Sequence, residues 1–273
     1  MKQILVAIDF SNSAGNAMEY AMNLAKILNM EVCAIHAIGP TEGINNNTYN
    51  AIFIDDYYNN KRQALKDWAA KYTDREEFKD IEVSTVCGVG FLKNVIGKYI
   101  EDHHVELLVM GMIGSTGLTG IVGSNVSTVV SVVKIPTLIV PLESKFSGVP
   151  IITLATDYET RLSADDVIAL NEMVEAFGAP KMQVLYVAEK SGAKNLEAGE
   201  NKLRELIKNV NLEFNYITDS RPLNGIMKFV DDHETDILCL VKHHHGIVYR
   251  LFNRSTVNQI MNKTVKAILV LHE

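Results

Sequence analysis

The residues best placed to do chemistry lie between Met110 and Asn125. The run reads Met110-Gly111-Met-Ile-Gly114-Ser-Thr-Gly117-Leu-Thr-Gly120-Ile-Val-Gly123-Ser124-Asn125, directly after an apolar stretch and directly before a helical pattern. Glycines let a backbone approach a bound group closely and adopt conformations closed to other residues. A following helix offers unpaired N–H groups and a partial positive charge, so the combination suits an anion such as phosphate. Ser124 and Asn125 are good helix caps that could also donate to phosphate oxygens. The simpler reading is a flexible surface loop; six glycines between Gly97 and Gly123, after an apolar strand, count against it. Asp9, after the apolar run Ile4–Ile8, should reach the same crevice. There a carboxylate could accept from a ribose or base, or hold a metal-bound water. It could equally cap the next helix.

Elements alternate in a way that would position these groups. In the first half, strand signals occur at Ile4–Ile8, Glu31–Ile38, Ile81–Cys87, Leu107–Met110 and Thr137–Val140. Helical spacing occurs at Ser13–Leu28, Lys61–Tyr72, Phe91–Asp102 and Ser124–Val133. Strands alternating with helices, and apolar on both faces, predict an α/β fold with a parallel sheet covered on both sides. Ligands in such sheets bind outside the carboxyl ends of the strands.

The chain repeats itself. Lys98–Met110 aligns with Lys228–Leu240 at an offset of 130, and Ile135–Val140 with Val265–Val270 at the same offset. Near the start the offset is larger: Asp9 falls on Asp157 at 148 and Ile35 on Leu185 at 150. The first copy therefore carries about twenty extra residues, placed in the Gly/Asn-rich stretch Gly39–Tyr58. The expected units are residues 1–143 and 150–273, joined near Glu143–Val149. The second should repeat the strands at Ile151–Ala155, Met182–Val187, Leu212–Ile217, Ile237–Val241 and Ala267–Leu271.

Composition narrows the function classes. The 273 residues are 47% hydrophobic, enough for a sizeable core. A net charge of -7, from 26 Lys+Arg against 33 Asp+Glu, argues against a protein built to bind nucleic acid or an anionic membrane. No run approaches the roughly 18 apolar residues of a membrane span. Residues 1–9 read as a strand and not as a signal peptide. Cys33, Cys87 and Cys239 lie in apolar surroundings and form no disulfide framework, which fits a reducing, cytoplasmic compartment.

The opening Ile4-Leu-Val-Ala-Ile-Asp9-Phe-Ser11, the Ile35-His36-Ala37 strand and the loop Gly111-x-x-Gly114…Gly123-Ser124 resemble the universal stress protein family. The resemblance covers the chain as two tandem domains. It implies a Rossmann-like fold of the adenine nucleotide alpha hydrolase type, with five parallel strands ordered 3-2-1-4-5 in each domain. It further implies a stress-response or signalling protein that binds ATP or AMP, with or without Mg, in the first domain. By that resemblance Ala7 and Asp9 would face the nucleoside, the Ala37 backbone the adenine, and Met110 and Gly111 the ribose. Gly114, Gly123, Ser124 and Asn125 would cradle phosphates. The family loop has nine residues between its second and third glycines; here eight separate Gly114 from Gly123. Family members dimerise, commonly through the last strands, so a tandem chain can pair within itself as a pseudo-dimer and can also form a further homodimer.

The second copy departs from the pattern. Gly111, Gly114, Gly123 and Ser124 become Val241, His244, Asn253 and Arg254. Side chains there would fill the space of a phosphate, although Lys242, Arg250 and Arg254 leave the loop basic. His243-His244-His245 reads better as a polar loop than as a metal site, because neighbours on an extended chain point to opposite sides. His103 and His233, matched by the repeat, read as structural residues at helix ends. His36 reads as a core or crevice residue. The aromatics between Tyr49 and Tyr58 could close over the first crevice, seed the next helix or pack on the other copy; packing is the preferred reading.

No Ser-His-Asp order, paired acids or metal signature marks dedicated catalysis, and no Lys or Arg lies within Gly111–Asn125 to clamp a γ-phosphate. At most slow ATP hydrolysis is expected. The alternative to nucleotide binding is a ligand-free interaction module whose shortened loop has lost its ligand. A third reading, an adenylate-forming ligase or pyrophosphatase of the same fold, lacks the basic residue such chemistry needs in the loop.

Overall fold

The computed structural model describes residues 2–42, 51–112, 124–156, 158, 162–179, 181–188, 196–242 and 264–272. Its strands are β1 (Gln3–Ala7), β2 (Glu31–Ile38), β3 (Val83–Val89), β4 (Val105–Met112), β5 (Thr137–Pro141), β6 (Ile152–Thr156), β7 (Lys181–Ala188), β8 (Asn211–Thr218), β9 (Ile237–Lys242) and β10 (Ala267–His272). The helices are α1 (Asn12–Leu28), α2 (Ala51–Thr73), α3 (Leu92–Asp102), α4 (Ser124–Val132), α5 (Ile168–Phe177), α6 (Leu196–Leu206) and α7 (Pro222–Asp232). The His243–His245 run, Asp157, Arg250, Asn253 and Arg254 lie outside the described residues.

All ten strands form one sheet, ordered β3-β2-β1-β4-β5-β10-β9-β6-β7-β8. Each half has the expected 3-2-1-4-5 order with parallel neighbours. The halves meet at β5 and β10, which pair antiparallel with Leu138 opposite Leu269 and Ile139 opposite Ile268. All four side chains are buried, so the seam is as dry as the interior of either half.

Two apolar layers sandwich the sheet. One lies under α1, α2, α5 and α6 and includes Met18, Leu65, Met173 and Leu203. The other lies under α3, α4 and α7 and includes Ile96, Val129, Ile226 and Phe229. Alternate residues of each strand feed opposite layers: in β1, Ile4 and Val6 enter the first, Leu5 and Ala7 the second. This is why the strands read as unbroken apolar runs.

Local signals set the helix ends. Ser11 caps α1 by accepting from the Ala14 N–H at 3.2 Å, and Asn29 ends it in the left-handed conformation. His103 and His233, both in extended conformation, close α3 and α7 alike. Each presents Nδ1 to the carbonyl four residues back, Tyr99 or Phe229, at 3.0 and 3.1 Å. Each also stacks on that residue's ring, at 4.0 and 3.9 Å. Both histidines thus hold a helix end, as expected from the repeat.

Helix α2 begins ten residues before the predicted Lys61. The Tyr57 hydroxyl donates to Glu42 Oε2 at 2.8 Å and Lys61 pairs with the same carboxylate at 3.4 Å. These contacts hold the first turns of a helix whose Asn59-Asn60 pair hides it from apolar spacing. Tyr57 and Tyr58 therefore belong to α2; Tyr49 lies outside the described residues.

The connection between halves is fixed at both ends. Asn16 of α1 donates to the Pro141 and Ser144 carbonyls, each at 2.8 Å. Asp236 accepts from the Ser147 hydroxyl at 3.1 Å and the Ile151 N–H at 2.9 Å. Phe146 packs edge-on against Tyr20 of α1 and Phe177 of α5. Burial pushes the Tyr20 phenol well above its ordinary pKa, and nearby Asp236 adds to the effect.

The shared sheet should make the halves unfold together. Leu269→Ala removes a fully buried side chain at the seam and should cost about 2–5 kcal/mol. Urea unfolding followed by Trp68 fluorescence, which reports the first half, and by circular dichroism should show one coincident, destabilised transition.

Candidate functional site

A crevice opens at the carboxyl ends of β1, β2 and β4. It is a 220 Å³ cavity whose walls include Ala7, Asp9, His36, Ala37, Met110, Gly111 and Asn125. Residues 113–123, with Gly114 and Gly123, lie outside the described residues, and Ser124 is described only as the first residue of α4. Six of the nine residues singled out in the sequence therefore line one cavity.

The chain reaches the crevice through a strained corner. After β1, Phe10 adopts a left-handed φ of 64°. Such a conformation is rare for a bulky residue and persists only where packing dictates it. Here the Phe10 ring lies 4.7 Å from the His36 ring and edge-on to Trp68 of α2. The second half repeats the corner with other side chains: Tyr158 has a φ of 56° and stacks on Tyr186 at 4.9 Å.

Asp9 serves the helix first. Its Oδ1 accepts from the Ser11 N–H at 3.0 Å and the Ser11 hydroxyl at 2.5 Å, and Ser11 in turn meets the Ser13 hydroxyl at 2.9 Å. Asp9 thus braces the capping residue Ser11 rather than capping the helix itself, and it also lines the crevice. His36 Nδ1 stands 2.7 Å from the Ile8 carbonyl, which can only accept, so Nδ1 carries a proton and donates. Its Nε2 is buried at the crevice wall without a hydrogen-bond partner.

Gly111 has a packing reason to be glycine. A Cβ there would lie 2.3 Å from the Ser13 carbonyl oxygen and 2.8 Å from the Ala14 nitrogen. The first turn of α1 therefore rests directly on β4, which brings Ser13 and Ala14 into the crevice wall. At the matching position β9 carries Val241, which is buried. In the second half α5 is a 10-residue helix beginning at Ile168, against 17 residues in α1.

Helix α4 faces the crevice from the other side. Its second and third residues, Asn125 and Val126, line the cavity, so the positive end of the helix dipole and N–H groups without a partner inside the helix border the space. Sequence reading missed Ile8, Ser13, Ala14, Leu92, Met112 and Val126 as wall residues. Ser13 could have been found as one of two hydroxyls following Asp9; the apolar five carry no signal that separates a crevice wall from a core. Among the described residues no cluster of three His, Cys, Asp or Glu could hold a metal ion. No described helix is long and apolar enough to cross a membrane.

Comparison with known proteins bears on the fold and the family. A universal stress protein from Archaeoglobus fulgidus superimposes with a TM-score of 0.76 at 17% identity, covering 98% of this chain and 97% of that one. A putative universal stress protein from Pseudomonas aeruginosa does so with a TM-score of 0.59 at 12% identity, covering 99% and 92%. A universal stress protein solved in complex with cAMP is 22% identical over 51% of this chain and 96% of that one, but its TM-score of 0.33 is too low to bear on the site. No curated protein sequence matched the chain. At these identities the structural likenesses speak for the fold. The model of the universal stress protein family matches residues 1–141, and the chain belongs to that family.

Proposed function

We propose that the first half of the chain, residues 1–143, binds an adenine nucleotide in the β1–β2–β4 crevice, and that residues 150–273 form a second domain serving as its structural partner. The observation that carries this reading is the convergence of Ala7, Asp9, Ala37, Met110, Gly111 and Asn125 on one small cavity bordered by a helix N-terminus. A planar base fits between the Ala37 and Ala7 edges, where side chains are smallest. Asp9 is placed to accept from a sugar hydroxyl. The first turn of α4, with Asn125, supplies N–H donors for a phosphate at its positive end. Gly114, Gly123 and Ser124 would complete the phosphate cradle, and ATP or AMP, with or without Mg, is the expected ligand. The protein would act as a stress-response or signalling component that senses nucleotide, with slow hydrolysis at most. The paired halves act as a pseudo-dimer within one chain.

The matching position in the second half weakens any case for a second nucleotide site. Val241 puts a side chain where Gly111 leaves none. A ligand there would need a different geometry.

Thermal unfolding with and without Mg-ATP or AMP tests the reading, after extraction and identification of any nucleotide carried through purification. Ligand at about 100 times its dissociation constant adds roughly 2.7 kcal/mol, or a rise of roughly 5–10 °C for a chain of this size. Gly114→Val and, separately, Ala37→Phe should abolish the rise while the unliganded protein still melts cooperatively. Undiminished affinity in both variants would overturn the proposal. Absence of any shift in the wild type, with no carried-over nucleotide, would favour the ligand-free interaction module.

Removing the helix cap beside the crevice gives a separate check. Ser11→Ala should cost about 1 kcal/mol of stability in urea unfolding, because it deletes the acceptor for the Ala14 N–H. It should also weaken nucleotide binding severalfold by freeing Asp9.

A further inference from the structure

Among the described strands, β3 and β8 have a hydrogen-bonded neighbour on one side only. They differ in chemistry. Strand β8 carries Glu213, paired with Lys181 at 3.1 Å, and charge on an edge discourages further pairing. Strand β3 reads Val-Ser-Thr-Val-Cys-Gly-Val, seven residues without a charge or a proline. Nothing in its side chains repels another strand.

The free groups of that edge can be read from its pairing with β2. Val83 to Val89 lie opposite Val32 to Ile38 in parallel register. The Glu82 carbonyl accepts from the Val32 N–H at 2.9 Å, and the Gly90 N–H donates to the Ile38 carbonyl at 2.8 Å. Successive residues of a strand point these groups to opposite sides, so Ser84, Val86 and Gly88 face β2. The N–H and C=O groups of Val83, Thr85, Cys87 and Val89 point away from it. Donors and acceptors in such a row recur about every 6.6 Å, the repeat of an extended polypeptide backbone.

Room for side chains lies beside the row. Between β3 and α3 is a groove of 410 Å³ lined by Ile35, Val86, Gly88, Val95 and Tyr99. A Cβ at Gly88 would lie 2.5 Å from Val95 Cγ1, so glycine lets α3 stand this close to the edge. Val86 and Tyr99 belong to one apolar layer, and alternate side chains of an added strand would extend it. Phe91, 65% accessible, stands just past the end of β3. Lys98 and Asp102 of α3 also line the groove, and neither forms an ion pair with a described residue. Apolar side chains would therefore sit beside one cation and one anion.

We infer that β3 and this groove bind an extended, apolar segment of another protein by strand addition. Main-chain hydrogen bonds to Val83, Thr85, Cys87 and Val89 supply affinity, and alternate side chains in the groove supply selectivity. The edge is what identifies the occupant: a small apolar ligand could fill the groove but has no use for the row of N–H and C=O groups. The inference does not depend on whether the crevice binds nucleotide.

The test titrates a blocked seven-residue peptide of alternating valine and threonine onto the full chain. It should bind saturably, and hydrogen exchange should slow at the amides of Thr85 and Cys87. Thr85→Pro removes an outward N–H and leaves the ladder to β2 intact. It should weaken the peptide roughly tenfold, the worth of one hydrogen bond, with unchanged circular dichroism. Two methylated peptides give a reading on the wild type that needs no variant. Only alternate N–H groups of an added strand face β3, so methylating either the valine or the threonine nitrogens should abolish binding, and methylating the other set should spare it. Absence of saturable binding overturns the inference. So does equal binding of the two methylated peptides, or bound peptide without protection of Thr85 and Cys87. Protection that rises with chain concentration in the absence of peptide would mean that a second copy covers the edge, and it overturns the inference as well.

Discussion

The antiparallel contact between β5 and β10 is the constraint on which the rest of the molecule depends. A five-stranded half would end at β5 with an open row of backbone groups and buried-type side chains facing water. Setting Leu138 and Ile139 against Leu269 and Ile268 satisfies both edges at once and makes ten strands continuous. With that edge closed, α1 and α5 can share an apolar layer, and the connection can be fastened by Asn16 on one side and Asp236 on the other. Among the described strands the outermost are then β3 and β8.

Duplication of the fold has not duplicated the chemistry. Both halves turn sharply after their first strand through a residue of positive φ, Phe10 or Tyr158, braced by an aromatic ring on the second strand. Both end the helix before the fourth strand with a stacked histidine. These shared devices are architectural. They diverge on the fourth strand: Gly111 lets α1 settle on β4, whereas β9 carries a buried Val241 at the matching position.

The crevice itself combines a rigid floor with donors on its rim. Its floor is the ends of buried strands, which cannot move without disturbing both apolar layers. Its rim is the capped start of α1 and the first turn of α4, where backbone N–H groups lack partners within the helix. Asp9 illustrates how one residue joins the two, since its carboxylate is tied to the helix cap and also forms part of the crevice wall.

By itself the sequence determined the α/β class, the repeat, the strand order implied by family resemblance, and six of the residues that converge on the crevice. These are legible because alternation, apolar runs and glycine loops are local patterns with one dominant physical cause. Strand Glu31–Ile38 was readable to the residue for that reason. The early start of α2 was not, because Tyr57 and Lys61 are held by Glu42, whose distance in the folded chain no periodicity encodes. Only the tertiary structure decided that the halves share a sheet, which edges stay free, and that Gly111 is required by the Ser13 carbonyl. It also decided that Leu92, Met112 and Val126 face a cavity. An apolar side chain carries the same signal whether it meets another side chain or an opening, and that choice is made by packing across elements far apart in the chain.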